Sequence, residues 1–186
     1  MKQDYFLAVQ HFQRTFNHPA PDKVSLLTPE RTLQRSSYTV EEIVELLHAS
    51  VGGNPSEFKE LMNGLNVAIE KATEKQLNEG PFANDTEQER ITRMYDALVD
   101  SLYFVIGSFV ELGIDPQEGF NIVHRANMGK LGPDGKPIIR ESDNKIMKPE
   151  NWERDYAPEK FLRNLVERKN ITMPKRMVRF QRLRMR

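Results

Sequence analysis

The segment Asp96-Ala97-Leu98-Val99-Asp100, running on through Ser101-Leu102-Tyr103-Phe104-Val105-Ile106-Gly107-Ser108-Phe109-Val110, constrains this chain more than any other. No charge occurs between Asp100 and Glu111, so the stretch is apolar on nearly every face and predicts a helix buried among other helices. Asp96 and Asp100 open it four residues apart, one turn above each other on the same helical face. Two unpaired carboxylates entering a core are costly or stay protonated, so something must compensate them. A metal ion is the first candidate.

The rest of the chain supplies the other helices. Residues 4 to 17 place Tyr5, Val9, Phe12 and Phe16 at helical spacing, and Asn17-His18-Pro19 ends that helix. Thr28-Pro29 reads as a cap with proline at the first helical position, and the second helix runs to about His48. A third carries Phe58, Leu61, Met62, Leu65, Ile69 and Ala72 and ends near Gly80-Pro81. The fourth runs from about Thr86 through the opening segment to Gly113. Asp115-Pro116 with Glu118 predicts a short fifth helix to about Met128. Lys136 to Arg140 and Lys145 to Met147 are expected to form the arms of a small hairpin, with a further helix expected over Phe161 to Asn170 and an irregular segment from Met173. The expected fold is all-α, a four-to-five-helix bundle with a small C-terminal hairpin or irregular segment. It divides into a domain at 1–158 and a basic tail at 159–186.

Charge sharpens that division. The 186 residues have no net charge, yet residues 160 to 186 hold ten Lys or Arg against the single Glu167. An acidic body therefore trails a basic tail, which binds nucleic acid or folds back on the acidic body of its own or a neighbouring subunit. The second option is favoured. No cysteine is present, which excludes disulfides, thiolate metal sites and a cysteine nucleophile. The N-terminus lacks the pattern of a secretory leader and no apolar run is long enough for a bilayer, so a soluble, cytoplasmic protein with no membrane partner is expected.

Glu41-Glu42-Ile43-Val44-Glu45 puts Glu45 on a face shared with both earlier glutamates. Alone, such a block is a solvated helix surface. Set beside Asp96 and Asp100 on a packed neighbouring helix, it gives converging carboxylates that need a hard cation between them, and oxygen donors suit Mg²⁺ or Mn²⁺. The implied chemistry is metal-assisted attack of water on phosphorus. The competing structural reading has Asp96 as a cap, Asp100 paired with an arginine such as Arg35, and the glutamates solvated. Glu45-Leu46-Leu47-His48 also matches the Glu-x-x-His unit of di-iron bundles, but with one copy only, and ranks below magnesium.

Val123-His124-Arg125-Ala126-Asn127-Met128-Gly129-Lys130-Leu131-Gly132-Pro133-Asp134-Gly135-Lys136-Pro137 sets donors and cations on a helix end and a turn. Asn127 can read a base edge, and Lys130 and Lys136 can meet phosphates. An ordinary basic helix C-terminus explains the same residues. Tyr103 and Trp152 are read as core.

The acid block, the acid pair heading a later apolar helix, and the segment from His124 to Pro137 followed by Lys148-Pro149-Glu150-Asn151-Trp152 resemble the all-α nucleoside triphosphate pyrophosphohydrolase superfamily. Within it the chain is similar to the MazG-like, phosphoribosyl-ATP pyrophosphohydrolase-like proteins, over about residues 4 to 158. The resemblance implies magnesium-dependent hydrolysis of a (d)NTP or related nucleotide to the monophosphate and pyrophosphate. It implies Glu42, Glu45 and Asp100 as metal ligands, Glu41 as the base or orienter of water, and a homodimer or dimer of dimers with sites shared between subunits. Asn127, Lys130 and Lys136 would approach the nucleotide. The family's second acidic motif is commonly E-x-x-D, whereas Ala97 stands three before Asp100 here, so Asp96 is expected to substitute as a ligand. The alternative is a catalytically silent helical scaffold that binds nucleic acid or a partner subunit through its basic tail.

Overall fold

The computed structural model describes residues 4–142 and 145–171. Its elements are α1 (Tyr5–Thr15), α2 (Pro29–Ser50), α3 (Pro55–Glu79), α4 (Glu87–Leu112), α5 (Pro116–Met128), β1 (Ile139–Arg140), β2 (Lys145–Ile146), α6 (Trp152–Asp155) and α7 (Pro158–Ile171). The fold is all-α, and the described sheet is a two-stranded antiparallel ribbon pairing Ile139 with Ile146 and Arg140 with Lys145.

Local chemistry sets the helix starts. The first N–H groups of a helix lack intrahelical partners, and short polar side chains accept from them. Thr28 Oγ1 accepts from the Arg31 N–H at 3.2 Å, with Pro29 at the first turn. Asn54, Thr86 and Asp115 do the same for α3, α4 and α5, at 3.0, 3.1 and 2.8 Å. At the other ends, Gly80 and Gly113 adopt φ of 69° and 70°, left-handed positions that a side chain would strain.

The chain forms two compact units. One is the described part of Met1–Asp22 with Val99–Arg186, and the other is Lys23–Leu98, so α4 contributes to both. In the first unit α5 contacts α1 and α7. The Tyr5 and Phe120 rings meet at 4.4 Å, and Arg168 on α7 donates to Glu118 on α5 at 2.6 Å. Ala8, Phe16, Ala126, Trp152 and Leu165 are the buried apolar residues. In the second unit α2 contacts α3, where the His48 ring meets Phe58 edge-on at 5.1 Å. That unit also has an apolar groove of about 640 Å³ lined by Leu26, Leu33, Phe82, Arg93, Met94 and Ala97 among others. The Arg93 guanidinium lies 4.0 Å from the Phe82 ring centre beside it.

The sequence predicts α4 buried among other helices, and the single chain does not bury it. No residue of α2, α3 or α4 is buried, and on α4 Tyr103 and Phe104 are 76% and 74% exposed. Tyr103 is therefore not core in this chain, whereas Trp152, at 5% exposure, is. The physical reason is that apolar periodicity reports a face that avoids water, without reporting which molecule covers it. The expected C-terminal helix exists as α7 and begins earlier, at Pro158. The irregular segment expected from Met173 lies outside the described residues. Among those described, no single helix is long and apolar enough to cross a membrane.

Candidate active site

The acid block sits in the second half of α2, and Glu41, Glu42 and Glu45 are all exposed. The side of α2 that lines the groove carries Pro29, Thr32, Leu33 and Ser36. At about 100° per residue, Glu41, Glu45 and Glu42 lie about 140°, 180° and 240° around the helix from Ser36. The glutamates thus project away from the groove wall. Asp96 and Asp100 stand one turn apart on α4 and are likewise exposed.

None of these five carboxylates takes part in a salt bridge among the described residues. In kind the donors suit a hard divalent cation, being oxygen ligands. Among the described residues no group of three or more His, Asp or Glu is placed to hold a metal ion. His48, the imidazole of the single Glu-x-x-His unit, is a packing residue against Phe58 and close to Gly53.

The cationic half of the proposed site is built on the end of α5. Lys130 is half-buried and its Nζ donates to Asn127 Oδ1 at 2.8 Å, so these two predicted residues come together. Burial first, and then the nearby charge of Lys148, push the Lys130 ammonium below the usual lysine range. Lys136 lies on the following turn, exposed. Its N–H donates to Asp134 Oδ1 at 3.0 Å and its carbonyl accepts from the Gly132 N–H at 2.8 Å. The turn returns the chain so that Leu131 bridges Pro137.

Two residues that support this helix end carry no site role in the sequence reading. The buried Trp152 donates its Nε1–H to the Ala126 carbonyl at 2.7 Å, and Lys148 Nζ sits 3.7 Å from the centre of the same ring. Tyr156 packs against Gly129, its ring occupying the place a Cβ would take. The run Lys148-Pro149-Glu150-Asn151-Trp152 was the available signal, but only the folded chain shows what it touches.

The phosphoribosyl-ATP pyrophosphohydrolase family model matches residues 9–127, a span that includes Glu41 to Glu45, Asp96, Asp100 and Asn127. Among solved structures, the chain is similar to the crystal structure of a "putative NTP pyrophosphohydrolase" from Exiguobacterium sp. 255-15. The two share 41% identity with a TM-score of 0.85, over 92% of this chain and 98% of that one. Comparison with curated proteins gives no match. An all-α fold with this likeness is of the NTP pyrophosphohydrolase-like class. The chain belongs to the phosphoribosyl-ATP pyrophosphohydrolase family.

Proposed function

We propose that this chain is a nucleotide pyrophosphohydrolase that converts a (d)NTP or related nucleotide to its monophosphate and pyrophosphate. The observation that carries the reading is a set of five exposed carboxylates, without salt-bridge partners among the described residues, lying inside the span that matches the family. Glu42, Glu45, Asp96 and Asp100 would hold Mg²⁺ or Mn²⁺, which when bound supplies charge neutralisation and a more acidic water. Glu41 takes the proton of the attacking water. The water oxygen joins phosphorus at the α–β bridge, the bridging P–O bond breaks, and pyrophosphate leaves. Asn127, Lys130 and Lys136 orient the nucleotide and offset its charge.

The reading includes a second copy of the chain. Helices owe most of their stability to packing of an apolar face, and α2, α3 and α4 bury no residue within their own chain. A homodimer or dimer of dimers covers these faces with the same faces of a partner, since a two-fold interface is self-complementary. It also supplies the packing that brings carboxylates together.

Glu42→Ala and Asp100→Ala test the assignment, with Glu60→Ala on α3 as the control. Loss of an outer partner of a metal site costs about 10- to 100-fold, and loss of a direct ligand costs more. Pyrophosphate release should collapse in the first two variants and persist in the third. Full activity in both Glu42→Ala and Asp100→Ala would refute the reading.

A further inference from the structure

We infer that Lys148 is a second cationic ligand for the phosphate chain, sharing with Lys130 a subsite at the end of α5. The identity of the anion rests on the nucleotide reading above. The subsite rests on how the chain folds around Trp152.

Lys130 is the first half. An ammonium has three donors, and this one donates to the neutral Asn127 Oδ1 at 2.8 Å. No carboxylate forms a salt bridge with it among the described residues. Lys148 arrives from beyond the hairpin. Its Nζ rests 3.7 Å from the centre of the Trp152 ring, and that ring is fixed by the 2.7 Å bond to the Ala126 carbonyl. Trp152 therefore holds Lys148 beside the same helix end that carries Asn127 and Lys130.

Two ammonium groups so placed repel each other, and burial of one deepens the cost. The depressed affinity of Lys130 for its proton reflects both effects. Favourable placement of a base near a helix C-terminus accounts for Lys130, which follows α5 directly, but not for Lys148, which is not on that helix. An anion with several oxygens relieves the repulsion and uses the spare donors of both lysines. Lys148 is also available. Its carboxylate partner is Glu153, at 3.0 Å, with side chains 49% and 72% exposed, and such open pairs contribute little. A phosphate chain can displace that carboxylate.

Calorimetric titration of inorganic pyrophosphate into the full chain, without added metal, tests the subsite directly. Lys148→Met should weaken binding on the order of tenfold, the usual scale for losing one charge-assisted hydrogen bond. Lys148→Arg should recover most of the affinity, Glu153→Gln should tighten binding, and Lys75→Met on α3 should leave it unchanged. Wild-type affinity in Lys148→Met, or no pyrophosphate binding by the wild-type chain, overturns the inference. Nucleotide hydrolysis with magnesium is assayed on the same preparations. No hydrolysis together with a retained Lys148→Met defect sinks the nucleotide reading and leaves an anion subsite. Hydrolysis with unaltered binding in Lys148→Met sinks the subsite alone.

Discussion

The Trp152 indole donates its Nε1–H to the carbonyl of Ala126 at 2.7 Å, joining α6 to the last turn of α5 across 26 residues of sequence. Carbonyls in the last turn of a helix have no intrahelical partner, and this bond supplies one in a buried setting. Trp152→Phe keeps a ring for packing but removes the donor, leaving a buried acceptor unpaired at a cost of about 1–3 kcal/mol. Urea unfolding should show a lower midpoint with an unchanged slope. An unshifted midpoint would mean that the bond adds nothing.

Gly129 and Tyr156 make a steric pair. Gly129 has an ordinary right-handed helical backbone, so a side chain there is excluded by the Tyr156 ring rather than by φ. Gly129→Ala forces Tyr156 to move and should cost about 1–3 kcal/mol, the usual range for overpacking. In a double-mutant cycle with Tyr156→Ala the two losses should not add, because the second change removes the clash. Additive losses would contradict this contact.

His124 gives the first unit a pH dependence. Burial, and then the charge of the nearby His11, hold its imidazole below the usual histidine range. Unfolded, it titrates near about 6.5, so as pH falls through that value the unfolded chain binds more protons and the folded state loses stability. Above that pH this contribution disappears. The urea midpoint should therefore fall between about pH 7.5 and pH 5.5, and fall less in His11→Gln, where the neighbouring charge is absent. Equal falls in the two proteins would remove His11 from the account.

Phe104, 74% exposed on α4, reports on self-association. On a free surface Phe104→Asp changes stability by no more than about 0.5 kcal/mol, whereas in an interface it places an unpaired charge in apolar ground. Light scattering should find the wild-type chain at a multiple of its 21.6 kDa mass and Phe104→Asp shifted toward the single chain. Both proteins at 21.6 kDa would contradict the second-copy part of the proposal.

Particular residues show what could be read before the fold was known. Thr28-Pro29 and Asp115-Pro116 marked helix starts because capping is local chemistry, and the Thr28 and Asp115 side chains accept the predicted bonds. Ile139 opposite Ile146 matches the expected hairpin arms. Tyr103 is exposed in this chain, where core is expected, because an apolar face is coded in the sequence while its cover is not. The four-residue α6 is not legible in the sequence, because so short a helix leaves no periodicity to read. At the site, Asn127 and Lys130 lie three apart on one helix end and were legible together. The approach of Lys148 depends on a tryptophan bond spanning 26 residues, which no spacing rule exposes.

The central claim concerns which bond of a nucleotide breaks. Purified protein is incubated with magnesium and a panel of canonical, deoxy and damaged triphosphates, dUTP and phosphoribosyl-ATP included, and the products are separated. The account predicts nucleoside monophosphate and pyrophosphate in equal amounts from at least one substrate, dependent on the metal. Release of orthophosphate with a diphosphate, or no turnover across the panel, would contradict it.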